Sequence, residues 1–230
     1  EAGFTVNGHT CKNLIIATGS SPVIPPIPGM REYLGDLVLT NREILELREL
    51  PRQLVVIGGG VVGLEMAAYY ATVGVKVAVI EMLDHIAGST DREIGSLLQK
   101  ELEKKGVTFL LGHKCLEVKP GEVIAEAPNG EKILVPADKV LLSIGRKPNV
   151  EGLGLETLGV TYTKDGIPTD SFCRTNVPGV YAVGDVNGHH MLAHTAYREA
   201  EVAVNTILGK KDAMRYHANP SVIYTQPEIG

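Results

Sequence analysis

The chain has 230 residues, 24.6 kDa and a formal net charge of −5, room for one large domain or two small ones. The acidic balance argues against binding a phosphate backbone, which needs a basic face, and no apolar run approaches the roughly 20 residues of a membrane-spanning helix. Hydrophobic residues at 44% and charged residues at 21% describe an ordinary folded chain rather than a disordered one.

In chain order, residues 13–17 (N-L-I-I-A) are an apolar run stopped by Thr18-Gly19-Ser20, which predicts a buried strand. Pro22, Pro25, Pro26 and Pro28 then enforce irregular chain, and Asn41 is placed to cap a short helix through Leu47. Residues 54–57 are a continuous apolar run, a strand buried on both faces. Three glycines turn the chain, residues 61–73 carry helical spacing, and residues 76–80 form a second buried strand that ends at Glu81. T-D-R-E at 90–93 reads as a capping box with Thr90 as the cap, opening a helix to about Lys105. Residues 107–111 form a third strand. This strand–helix alternation predicts a right-handed parallel sheet.

Between 114 and 135 the pattern changes to short segments separated by Pro120-Gly121 and Asn129-Gly130, an antiparallel meander set into the parallel domain. Residues 139–144 return to a buried strand, and residues 180–183 form another that ends at Gly184-Asp185. The last predicted helix, 193–208, would bury Ala196, Ala200, Ala203, Val204, Ile207 and Leu208. Cys11, Cys115 and Cys173 stand far apart without CxxC or zinc spacing, so no metal site is expected and a reducing, intracellular compartment fits. The chain opens at Glu1 and stops just after Pro227 and Glu228, which reads as an internal piece of a longer protein.

Gly58, Gly59, Gly60, Val61, Val62 and Gly63 fit G-x-G-x-x-G, between a buried strand and a helix, with Glu81 closing the next strand. That context makes the motif a dinucleotide site. Gly58 permits the turn, Gly60 lets a pyrophosphate approach the backbone, and Gly63 lets the helix lie close to the strands. Unpaired N–H groups at the helix start hold the phosphates. A carboxylate at Glu81 accepts hydrogen bonds from both ribose hydroxyls and repels a 2′-phosphate; no Arg follows before Arg92, so NAD is favoured over NADP. Two further strand–Gly turns, at 17–19 and 181–185, are open between plain turns and ligand loops. A helix soon after Asp185 tilts the second towards a ligand.

Six segments in order resemble the flavin-dependent pyridine nucleotide–disulfide oxidoreductase family, within it the lipoamide-oxidising branch. They are L-I-I-A-T-G-S-S-P at 14–22, V-I-G-G-G-V-V-G-L-E at 56–65, S-I-G-R-K-P-N at 143–149, V-Y-A-V-G-D at 180–185, M-L-A-H at 191–194 and V-I-Y-T-Q-P-E at 222–228. The resemblance implies an α/β fold: a Rossmann-like NAD-binding domain at 37–147 with its inserted meander, two parts of an incomplete FAD-binding domain at 1–36 and 148–220, and the start of a dimerisation domain at 221–230. It implies that Gly58 through Leu64 and Glu65 form the NAD pyrophosphate and nicotinamide wall, with Glu81 on the ribose, Cys115 beside the adenine and Gly145 near the nicotinamide. Thr18, Gly19 and Ser20 would face FAD, Asp185 would bond its ribityl chain, and Met191, Leu192, Ala193 and His194 would border the flavin ring. Glu65 is similar to the family glutamate that pairs with a lysine near flavin N5.

The implied reaction passes two electrons from dihydrolipoamide, on a lipoyl carrier, through a disulfide and FAD to NAD. A homodimer and a cytoplasmic location, or the mitochondrial matrix in a eukaryote, are implied with it. The sequence departs from the family in lacking the first G-x-G-x-x-G and the C-x-x-x-x-C, and His217 has Val222 rather than Glu five residues on. No catalytic residue is therefore assigned, and His189, His190 and His194 are read as loop or wall residues. Turnover of lipoamide by the chain alone is not expected. A mercuric, glutathione or coenzyme A disulfide reductase and a stand-alone, non-catalytic NAD-binding module remain as alternatives.

Overall fold

The structure is a computed structural model that describes residues 3–230; Glu1 and Ala2, the start of the 1–36 segment above, lie outside the described residues. β1 (Phe4–Val6) and β2 (His9–Cys11) form a hairpin about Asn7 and Gly8, both at positive φ, the geometry that matches strand twist. β3 (Leu14–Ile16), β4 (Ser20–Pro22) and the short β5 (Val38–Leu39) follow, then a 3-10 turn at Glu43–Glu46. β6 (Gln53–Ile57), α1 (Val61–Thr72), β7 (Lys76–Glu81), α2 (Arg92–Lys104) and β8 (Thr108–Leu111) alternate as the periodicity requires. β9 (Lys114–Lys119), β10 (Gly121–Glu126) and β11 (Lys132–Ala137) form the meander, and β12 (Lys139–Leu142) succeeds it. The remaining elements are β13 (Arg146–Pro148), α3 (Leu155–Leu158), β14 (Val180–Ala182) and α4 (Ala193–Ile207), with 3-10 turns at Gly184–Asn187 and Tyr216–Ala218.

The chain divides into two compact units. One runs up to Ser21 and adds Arg146–Ser221; the other is Pro22–Gly145 with Val222–Gly230. In the Pro22–Gly145 unit, five parallel strands lie in the order β5-β12-β6-β7-β8. Alternation along the central strand explains its unbroken apolar sequence. Leu54 and Val56 pack with Leu64, Ala67, Leu98 and Leu102 of the helices, whereas Val55 and Ile57 pack with Val118, Val123 and Val135 of the meander. Met30 is fully buried in the meander-side cluster, with Ile24, Ile27 and Tyr33 packed against it, so residues 22–36 lie in this unit. Ile223 and Ile229 pack in the helix-side cluster.

In the other unit β14 pairs in parallel with β3, and β13 forms a second two-stranded sheet with β4. β14 also faces two ways: Val180 and Ala182 pack with Ile16 and Ile167, while Tyr181 packs with Cys173, Val202 and Met214.

Four local expectations need correction. The cap of α2 is Asp91, whose carboxylate accepts from Glu93 N at 2.9 Å and Ile94 N at 3.3 Å; Thr90 lies one residue too early. The turn after β5 is a 3-10 turn rather than a helix capped by Asn41, and Thr40 bonds the Glu43 carboxylate through its amide and hydroxyl. β3 is not buried throughout, since Ile15 is 39% exposed. α4 is rotated about its axis: Thr195, Glu199, Val202 and Ala203 are inside, whereas Val204 and Leu208 are exposed. Small alanines suggested one face; hydrogen bonding of Glu199 and Thr195 selected another.

Replacing Asp91 by Ala leaves two first-turn amides without a partner and is expected to lower unfolding free energy by about 1 kcal/mol, whereas Thr90→Ala costs much less. Chemical denaturation of the two variants checks this; equal losses would restore Thr90 as the cap.

Candidate functional site

The loop after β6 and the loop after β12 flank the point where strand order reverses, with β7 and β8 added on one side of β6 and β12 and β5 on the other. Such a reversal leaves a crevice at the carboxyl ends of the strands. A cavity of 630 Å³ lies there, lined by Gly58, Gly59, Gly60, Glu81, His113, Cys115 and residues 143–145, among others.

The three motif glycines have three different reasons. Gly58 has φ 104°, and a Cβ on it would lie 2.2 Å from the Ser143 carbonyl oxygen. A Cβ on Gly63 would lie 2.2 Å from the Gly58 carbonyl oxygen, so only a bare backbone lets α1 start this close to the turn. Gly60, by contrast, would meet nothing within 4 Å; it borders open space. It also precedes α1 without offering a side-chain cap, so the first N–H groups of the helix depend on an outside acceptor.

Glu81 closes β7 and bridges the site. Its Oε2 accepts from Gly59 N at 2.6 Å and its Oε1 from Leu83 N at 2.8 Å. A carboxylate has about four acceptor positions, so roughly two remain for hydroxyl donors. Ala87 N donates to Gly59 O at 2.8 Å and fastens the following loop to the glycine turn. Cys115, on β9, is half-buried, and burial pushes its thiol up to about 11, leaving it neutral and uncharged beside Glu81. This donor and acceptor set fits the ADP portion of a dinucleotide: helix amides for phosphate, a fixed carboxylate for a ribose, and an apolar wall from Pro25, Ile27 and Met82 for a flat ring.

The structure brings together six of the predicted residues, Gly58, Gly59, Gly60, Glu81, Cys115 and Gly145. Val61, Val62, Gly63, Leu64 and Glu65 stand in the first turns of α1 outside this lining. Leu64 is in the core, and Glu65 accepts from Tyr224 N at 2.9 Å. Ser143 and His113 were missed, although Ser143 directly follows β12 and His113 stands two residues past the end of β8, the carboxyl-end positions from which such crevices are lined.

In the other unit Ser20 donates to the Asp185 carboxylate, and Arg146 donates through Nε to Ser20 Oγ at 2.7 Å while lying 3.8 Å from Asp185 Oδ2. Arg146 stands in the quoted S-I-G-R-K-P-N segment yet received no role. Asn149 N donates to Gly19 O, and the Thr18 hydroxyl donates to Asn149 O at 2.7 Å. Met191 and Leu192 are half-buried, Ala193 opens α4, and the exposed His194 contacts the Pro220 carbonyl through Nε2 at 2.9 Å. Cys11, Cys115 and Cys173 are free thiols. Among the described residues no cluster of His, Cys, Asp or Glu could hold a metal ion, and no helix is long and apolar enough to cross a membrane.

The model of the pyridine nucleotide-disulphide oxidoreductase family matches residues 5–200. The chain is 42% identical over 206 residues to a dihydrolipoyl dehydrogenase of Acholeplasma laidlawii, covering 88% of this chain and 60% of that one. It is 38% identical over 230 residues to a dihydrolipoyl dehydrogenase of Geobacillus stearothermophilus, covering 98% of this chain and 48% of the relative. Among solved structures, LpdA from Mycobacterium tuberculosis is similar with a TM-score of 0.85 at 30% identity, over 96% of this chain and 48% of its own. The chain thus spans roughly half to three fifths of the length of these relatives. With its parallel sheet, its glycine turn and a family match across most of its length, the chain belongs to the pyridine nucleotide-disulphide oxidoreductases.

Proposed function

We propose that the Pro22–Gly145 unit binds NAD, and that this chain belongs to a dihydrolipoyl dehydrogenase, which reoxidises dihydrolipoamide presented on a lipoyl carrier. The observation that carries the nucleotide reading is the Glu81 carboxylate, held at 2.6 Å by Gly59 N at the mouth of the crevice. Held there, it meets ribose hydroxyls without paying to order a flexible side chain, and it opposes a phosphate on the same ribose. The substrate reading rests on the named relatives.

FAD, when bound, relays two electrons between a dithiol and the nicotinamide. The residues' share is binding and orientation. Asp185, already bonded by Ser20 and flanked by Arg146, presents acceptors to a polyhydroxyl chain, and the first turn of α4 presents amides to an electron-rich edge. Thr18 and Gly19 hold the adjoining backbone through Asn149. The Pro22–Gly145 unit serves as the NAD-binding domain, residues up to Ser21 and Arg146–Ser221 as parts of an FAD-binding domain, and the residues from Val222 on as the start of a dimerisation domain. The functional form is a homodimer in the cytoplasm, or the matrix of a mitochondrion. The chain contains no C-x-x-x-x-C, so by itself it does not turn over lipoamide.

NADH is expected to bind at least about tenfold more tightly than NADPH, and Glu81→Ala to narrow that ratio. Titration with both coenzymes checks it; equal affinities in the parent protein would overturn the role of Glu81. Gly60→Ala, with open space around the new methyl group, should keep the unfolding midpoint while weakening NADH. Gly63→Ala should cost about 1–3 kcal/mol of stability, because backbone must move. Calorimetry and denaturation separate the two. Alkylation of Cys115, followed site by site by mass spectrometry, should be slow at neutral pH. It should quicken about tenfold per pH unit towards pH 11 and be suppressed by NADH. Fast reaction at neutral pH would remove Cys115 from the apolar wall.

A further inference from the structure

Glu199 has no accessible surface, although it is a carboxylate in the middle of α4. A buried charge is costly unless its oxygens are bonded, so its partners show what the site demands. Oε2 accepts from Gly184 N at 2.5 Å, and Oε1 accepts from the Tyr216 hydroxyl at 2.8 Å. Gly184 immediately precedes Asp185, at φ 72°, and a Cβ there would stand 3.3 Å from Ala196 of α4. The Tyr216 ring in turn stacks on His189, with centroids 4.4 Å apart, and on His190 at 5.6 Å. Asn219 closes the arrangement, donating to Thr195 Oγ1 at 2.6 Å and contacting His190 Nδ1 at 3.1 Å. One carboxylate therefore ties together the turn that bears Asp185, the helix that follows, and the tyrosine that braces the loop between them.

We propose that Glu199 is a positioning residue for the flavin: it locks the Gly184–Asp185 turn against α4, so that the Asp185 carboxylate and the amides opening α4 address the same ligand. The inference rests on the reading of Asp185 given above and deepens it. A side chain needed only to fill space would be replaceable by Leu, which is of similar size and needs no hydrogen-bond donors. A carboxylate serving geometry is not replaceable in that way. It binds an amide of the ligand turn itself, and no apolar residue supplies that bond.

The test uses the full-length, flavin-loaded protein with Glu199→Leu, Glu199→Gln and Asp185→Asn. Three quantities are read: FAD affinity from flavin fluorescence, the visible spectrum of bound flavin, and amide exchange at Gly184 and Asp185. Loss of a bond to a charged group predicts about a tenfold or greater loss of FAD affinity in Glu199→Leu, with a shifted flavin spectrum and faster exchange at Gly184. Glu199→Gln keeps one acceptor and should recover part of each change. Wild-type affinity, spectrum and exchange in Glu199→Leu, with Asp185→Asn weakened, would overturn the positioning role and leave the Asp185 reading standing. Wild-type affinity in Asp185→Asn would instead overturn that reading, and the proposal with it. Should Glu199→Leu fail to fold, Glu199→Gln decides alone: an unchanged spectrum and unchanged Gly184 exchange overturn the proposal.

Discussion

A side chain at Gly63 would stand 2.2 Å from the Gly58 carbonyl, and the crevice proposed to hold the dinucleotide depends on its absence. Because the backbone is bare there, α1 begins against the turn that leaves β6, and its open amides arrive at the cavity mouth beside Gly60. The same closeness brings Gly59 within reach of Glu81 on the neighbouring strand. Pushing the helix outward by the radius of a methyl group would separate the open amides of α1 from the Glu81 carboxylate. Packing and the proposed recognition are therefore one constraint in this unit, not two.

The other unit solves a similar problem with polar bonds. Ser20, Asp185 and Arg146 come from three distant parts of the chain and are fixed by hydrogen bonds and charge. Glu199 ties the same turn from within. Short strands, two to a sheet, offer little backbone pairing to define such positions, so side chains must do it.

The glycine turn, its flanking strand and helix, and Glu81 were legible in the sequence because each obeys a local rule of spacing. The meander was legible for the same reason, through its two glycine-bearing turns. The roles of Arg146 and Glu199 were not, because each acquires its meaning from partners brought in by the fold, Ser20 and Asp185 for Arg146 and Gly184 and Tyr216 for Glu199. The face of α4 was misread because alanine is neutral about burial, whereas a glutamate inside a unit contradicts the apolar pattern until its donors are known. The cap of α2 was misplaced by one residue, since Thr90 and Asp91 are both good caps and only backbone geometry chooses between them.

The position of β12 in the sheet has a kinetic consequence. It lies between β5 and β6, yet it is made only after α1, α2 and the whole meander have emerged. Until Val140 reaches its place opposite Val55, the middle strand carries an open ladder of apolar residues on one side. A nascent or refolding chain must close a long loop to cover that edge, which slows assembly and leaves a surface that chaperones, or other unfinished copies, can seize.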